Sequence, residues 1–159
     1  MKTASILQTF FIALITLALS GCGSTREFLD IDTIAKLKIS ASSELNPDRD
    51  GRPSPIVIKV FALSDDRQFK REDFLSLYEN PAERLGSDLI ESFELKEFSP
   101  EEKREEIIHL KPETRFIGIM AAYVQYDVAQ ALLILPITPH ASNTHLIRAE
   151  RLRIISTNN

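Results

Sequence analysis

The chain has a single cysteine, Cys22, so no disulfide can close within it and any folded domain must be held by its core. It has no excess of basic residues, with 19 Lys and Arg against 23 Asp and Glu and a net charge of −4. Neutralising nucleic-acid phosphates requires clustered cations, so this balance excludes nucleic acid as a partner. The same balance argues against electrostatic attachment to anionic lipid. No apolar run reaches the roughly 20 residues needed to cross a bilayer. The longest, Phe10–Leu19, is interrupted on its N-terminal side by Gln8 and Thr9.

Catalytic motifs are also missing. There is no G-x-S-x-G nucleophile elbow and no H-E-x-x-H metal helix. His109 falls within a strand pattern, and His140 and His145 bracket a turn, so each reads as a surface or half-buried histidine. Glu101, Glu102, Glu105 and Glu106 alternate with Lys103 and Arg104 as in a solvated turn and strand entry. The expectation is a protein that is not an enzyme, with no catalytic residue, metal site, cofactor or small-molecule substrate.

What is present begins at the N-terminus. Lys2 and the α-amino group form a thin positive region, and Phe10–Leu19 is an apolar segment of secretory-signal length. Leu19-Ser20-Gly21-Cys22 follows directly, a Leu, two small residues and a thiol that match the lipobox of bacterial lipoproteins. Residues 1–21 are read as a lipoprotein signal peptide, Cys22 as the lipidated first residue, and 22–31 as a tether. One acyl chain anchors only marginally, but a diacylglyceryl group holds stably. Removing Lys2 with the signal makes the remaining chain more acidic still.

Residues 32–157 are of single-domain size. Thr33–Ser40 alternates, with Ala35, Leu37 and Ile39 on one face and Lys36 and Lys38 on the other, the period of a half-buried strand. Ile56–Leu63 is apolar on both faces and predicts a central strand. Further strands are expected around Phe93–Phe98, Glu106–Leu110, Phe116–Val124, Leu132–Ile137 and Leu146–Ile155. Short strands separated by Pro and polar turns predict a mainly β, two-sheet antiparallel sandwich. Near 69–89 the period changes. Phe74, Leu77 and Tyr78 stand at i, i+3 and i+4, which predicts a small amphipathic helical insertion stopped by Pro81. A further helical turn is expected through Leu85, Gly86, Leu89 and Ile90.

Between the first two strands lies Ala41–Pro55, with Pro47, Pro53 and Pro55 restricting the backbone and Asn46-Pro47-Asp48 and Asp50-Gly51 supplying turn chemistry. A connection this long inside a compact domain tends to be functional. Asn46-Pro47-Asp48-Arg49-Asp50-Gly51 matches the first half of an EF-hand loop, but position 12 falls on Val57, which has no carboxylate.

The order of lipobox cysteine, tether and Lys-rich strand, then Ala41-Ser42-Ser43-Glu44-Leu45-Asn46-Pro47-Asp48, Gly51-Arg52-Pro53-Ser54-Pro55 and Ile56–Leu63, closely resembles the TssJ family of type VI secretion lipoproteins. Phe69–Tyr78 resembles the family's helical segment. Tyr126–Leu132 departs from it by lacking a tryptophan. The resemblance implies a transthyretin-like or C2-like sandwich at the periplasmic face of the outer membrane, and Gly23 stands where lipoproteins retained in the inner membrane have Asp, which favours the outer membrane. It implies as partner the periplasmic C-terminal domain of TssM, contacted through this loop, whose positions matching the family are Asn46, Pro47, Asp48, Gly51, Arg52, Pro53, Ser54 and Pro55, with no cofactor beyond the covalent lipid. The mixed-sign side chains of Asp48, Arg49, Asp50 and Arg52 put the expected contact at the tip, Asn46, Pro47, Asp48, Arg49, Asp50, Gly51 and Arg52, and leave Pro53, Ser54 and Pro55 to shape the loop. A lipid-anchored, transthyretin-like small-ligand-binding module is the alternative that the strand pattern leaves open.

Overall fold

The computed structural model describes residues 31–157. The signal segment and Cys22 lie outside the described residues, as does nearly all of the expected tether. Among the described residues no helix is long and apolar enough to cross a membrane.

Among the described residues eight strands form two four-stranded sheets. The first has the order β4-β1-β7-β8, from β1 (Thr33–Ala41), β4 (Lys103–Leu110), β7 (Ser142–Ala149) and β8 (Ile154–Ser156). The second has the order β3-β2-β5-β6, from β2 (Ile58–Leu63), β3 (Leu89–Glu94), β5 (Phe116–Ala121) and β6 (Leu132–Pro136). Every pairing between these strands is antiparallel except β1 with β7, which run parallel from Ile34–Ser142 to Ala41–Ala149.

Alternation explains the layers. Ala35, Leu37 and Ile39 from the first sheet meet Ile58, Val60, Ala62, Ile117 and Ile119 from the second, and all are buried. Burying a side chain such as Leu37 contributes about 1.5–3 kcal/mol. Because β2 is apolar on both faces, it also feeds a second cluster, in which Phe61, Leu63 and Met120 pack under Phe69, Leu77 and Leu85. This outer cover is the helical insertion. It consists of a 3-10 turn at Phe69–Arg71, helix α1 (Phe74–Glu79), helix α2 (Pro81–Leu85) and a 3-10 turn at Gly86–Asp88. Asp73 caps α1, its carboxylate accepting from Ser76 N–H at 2.9 Å and Ser76 Oγ at 3.0 Å.

Several element boundaries differ from the sequence reading: β3 ends at Glu94 rather than Phe98, β4 begins at Lys103 rather than Glu106, and β7 begins at Ser142 rather than Leu146. Leu89 and Ile90 open β3 rather than continue the helical turn, because Gly86 at φ +51° ends α2 and the chain then pairs with β2. The strand expected over Phe116–Val124 stops at Ala121, where Ala122 N–H turns to Val57 O at 2.9 Å and Tyr123 N–H folds back to Ala121 O. The run expected over Leu146–Ile155 is a hairpin: Glu150 N–H donates to Arg153 O at 2.8 Å, and the Glu150 carboxylate pairs with the Arg153 guanidinium. At that corner Gln130 bridges the two sheets, donating to Leu152 O and accepting from Ile154 N–H.

Candidate functional site

The β1–β2 connection has a buried neck and an exposed tip. At the neck, Asn46 is 2% exposed and sits at φ +45°, a left-handed conformation that Asn tolerates better than most residues. Its Nδ2 donates to Pro55 O at 2.7 Å, closing the loop on itself. Its Oδ1 accepts from Val124 N–H at 2.7 Å, and its own N–H donates to Arg151 O at 3.1 Å. Leu45 and Pro47 are buried on either side. Asn46 and Pro47 therefore build the loop's base, and the surface of the predicted set is left to the residues that follow.

The tip is a self-satisfied turn. Asp48 Oδ1 accepts from Asp50 N–H at 2.8 Å and Arg52 N–H at 2.9 Å. Arg52 Nε donates to Asp48 Oδ2 at 2.8 Å, and Arg52 Nη2 donates to Asp50 Oδ2 at 2.9 Å. Gly51, at φ +80°, supplies the reversal. The Arg52 backbone N–H, then its guanidinium and the Asp50 N–H, hold the Asp48 carboxyl below its ordinary value. Both carboxylates face a guanidinium, an arrangement suited to fixing loop shape rather than to receiving a cation. Arg49, Asp50, Gly51 and Arg52 are exposed.

Two further loops join this end. Gln125 in the β5–β6 loop donates through Nε2 to Pro47 O at 3.0 Å and Asp48 O at 3.3 Å. Arg49 and Val124–Asp127 line an open cleft of about 450 Å³ between the two loops. Tyr123 OH donates to Glu150 O at 3.0 Å, fastening the same loop to the β7–β8 hairpin, and burial raises its phenol above the ordinary value. Glu44 pairs with Arg151 at 3.8 Å.

Beside the charged tip the surface is apolar and aromatic. The Tyr126 ring stacks on Phe74 at 5.3 Å, and Phe74 stacks on Tyr78 at 5.6 Å. Lys59 Nζ lies 4.8 Å from the centre of the Tyr78 ring. Among the described residues eight large hydrophobic side chains are exposed, and five of them, Leu75, Tyr78, Val124, Tyr126 and Val128, belong to α1 and the β5–β6 loop. Such a concentration makes this end the candidate interaction surface. The sequence reading assigned Val124 to a strand and left Tyr126 in a turn. A signal was present in Val124, Tyr126 and Val128, bulky residues placed where no strand continues.

The histidines do not converge with this end into a reactive group. His109 is exposed on β4, and His145 is buried on β7 with Nε2 unpartnered. No group of three or more His, Cys, Asp or Glu able to hold a metal occurs among the described residues.

The family described as "Type VI secretion lipoprotein, VasD, EvfM, TssJ, VC_A0113" matches residues 33–152. Among solved structures, the type VI secretion lipoprotein TssJ1 from Pseudomonas aeruginosa is 27% identical with a TM-score of 0.72, over 80% of this chain and 98% of that one. Lip from Serratia marcescens, a membrane-bound component of the type VI secretion system, is 22% identical with a TM-score of 0.72, over 79% and 98%. A chain of the structure of the TssM C-terminal domain from EAEC is 18% identical with a TM-score of 0.67, over 80% and 99%. Comparison with curated protein sequences finds no match.

Proposed function

Since the chain belongs to the type VI secretion lipoprotein family, we propose that it ties the secretion system's membrane complex to the outer membrane, with lipid on Cys22 at one end and the periplasmic C-terminal domain of TssM bound at the other. The family is one of secretion lipoproteins, not of enzymes. The observation that carries the reading is the loop-built end, where a preformed charged tip stands beside an exposed aromatic stack. Pre-organisation limits the conformational entropy lost on docking. Aromatic side chains supply contact area, and Arg49, Asp50 and Arg52 offer mixed-sign contacts that fix register. The fold shared with a chain from the TssM C-terminal structure supports the choice of partner.

Within the sequence-derived set the roles divide. Asn46 and Pro47 hold the neck, Asp48 and Gly51 shape the turn, and Arg49, Asp50 and Arg52 face the partner, with Tyr126 and Val128 added from the second loop.

The test is a titration of the purified chain with the periplasmic domain of TssM. Arg49→Glu and Tyr126→Ser are expected to weaken binding about tenfold or more each, the effect of losing a hot-spot contact of about 1.4 kcal/mol or greater. Wild-type affinity in both variants would sink the assignment of this end as the interface.

A further inference from the structure

The acidic balance of the chain conceals a segregation of charge. Register places Lys103 of β4 and Arg148 of β7 on either side of Ser40 of β1. Two residues earlier, Lys38 lies between Glu105 and Leu146, and Lys36 lies between Ile107 and Thr144. The alternate residues Ala35, Leu37 and Ile39 are buried in the sandwich, so this row points outward. Four cations stand on the outer face of the first sheet; Glu105 pairs with Lys38 at 3.8 Å and Glu150 with Arg148 at 3.9 Å, while Lys36 and Lys103 have no carboxylate beside them in register. Residues 58–94, which carry the helical cover, are the reverse, with nine Asp and Glu against five Lys and Arg.

The basic face has the other features of an interfacial surface. Lys38, Ser40, Ser42, Lys103, Arg148 and Thr157 are among the residues lining an open depression of about 720 Å³. The Ser42 hydroxyl there is buried without a partner. Ile107, level with Lys36, is 56% exposed. Ammonium and guanidinium groups, hydroxyl donors and an apolar side chain on one broad sheet face suit phosphate headgroups above hydrocarbon.

We propose that this face docks on the anionic phospholipid headgroups of the membrane that carries the Cys22 anchor, laying the first sheet along the bilayer. Chain length favours that occupant. About eleven residues separate Cys22 from Thr33, which at roughly 3.3–3.6 Å per residue allows at most about 40 Å between the lipid and the start of β1. A tether this short makes docking an intramolecular event at high effective concentration, so a modest electrostatic attraction is enough. The inference rests on the lipid anchoring proposed above. It revises the reading from net charge, which counts residues without their placement.

The experiment uses the lipidated chain reconstituted into vesicles of phosphatidylcholine, with or without phosphatidylglycerol. With its one native cysteine acylated, Ile107→Cys and Asp50→Cys each place a single fluorophore, quenched by a headgroup-attached quencher. Quenching at position 107 is expected to exceed that at position 50 several-fold when phosphatidylglycerol is present. The contrast should collapse near 1 M salt, where the Debye length falls to about 3 Å. It should collapse likewise in Lys38→Glu/Lys103→Glu/Arg148→Glu, whose folding is checked by retained TssM binding. Equal quenching at both positions, or a contrast indifferent to phosphatidylglycerol, overturns the proposal. If charge reversal weakens TssM binding in detergent while the contrast persists, the face belongs to a protein partner and the proposal also falls. Failure of the wild-type chain to float with either vesicle would instead break the anchoring on which both readings stand.

Discussion

Asn46 and Val124 are 78 residues apart in sequence and joined by a bond of 2.7 Å from the Val124 backbone N–H to the Asn46 side-chain oxygen. One amide closes its own loop through Pro55 and fixes a second loop through Val124. The charged tip and the aromatic stack are therefore parts of one rigid surface.

Asn46→Ala is expected to lower unfolding free energy by about 2–4 kcal/mol. It leaves Val124 N–H and Pro55 O without their partner, at about 1–3 kcal/mol for an unsatisfied buried group, and adds about 1–2 kcal/mol for holding Ala in the left-handed region. Urea denaturation measures the loss. A change under about 0.5 kcal/mol, the range of an ordinary surface substitution, would show that the neck does not depend on this residue.

Gly118→Ala tests the seat of the helical insertion. A Cβ at Gly118 would overlap the Phe69 ring, which is buried beside Phe61. Overpacking of this kind costs about 1–3 kcal/mol. Gly118→Ala combined with Phe69→Ala is expected to destabilise less than the sum of the two single changes, because the clash is gone once the ring is removed. Strict additivity in urea unfolding would refute the contact.

The sequence made legible what depends on local period and lost what depends on register. Ala35, Leu37 and Ile39 announced β1 through alternation, and Phe74, Leu77 and Tyr78 announced α1 through helical spacing. The parallel pairing of β1 with β7 carries no local mark, so the gathering of Lys103 and Arg148 around Ser40 was invisible. Asn46 was picked out by its loop, yet its role is to bond Val124 and Pro55 inside the fold. Tyr126 was passed over because its stacking partner, Phe74, lies in a separate element.

His145 should make stability depend on pH. Burial on β7 lowers its pKa, outweighing a hydrogen bond with the Pro136 backbone that raises it. The unfolded chain therefore binds a proton more readily than the folded one, and stability rises with pH across the interval below the ordinary value of about 6.5. The contribution is present above that value and is lost as pH falls through the folded pKa. His145→Leu is expected to flatten this part of the urea-midpoint profile. An unchanged slope between pH 5 and pH 7, values that bracket about 6.5, would assign the effect to another group.

Substitutions at Asp48 separate turn geometry from charge. Asp48→Asn keeps an oxygen able to accept from Asp50 and Arg52 N–H, while Asp48→Ala removes it. If pre-organisation governs docking on TssM, affinity in a titration should fall more for Ala than for Asn. Equal losses would point instead to the carboxylate charge or its pairing with Arg52.

Cys22→Ser tests the mechanical role proposed for lipid on Cys22. Among the described residues both hydrophobic clusters and all eight strands lie within residues 33–156, a core of single-domain size. Delivered to the periplasm behind a signal peptide that directs no lipidation, the variant is expected to stay folded and to bind the TssM periplasmic domain with affinity within about twofold of wild type, well under 1 kcal/mol. Secretion should nevertheless fail, because a partner-competent domain free of the membrane cannot transmit force to it. Normal secretion by the unacylated protein would show that partner binding alone is what the machine requires, and the tether reading would be wrong.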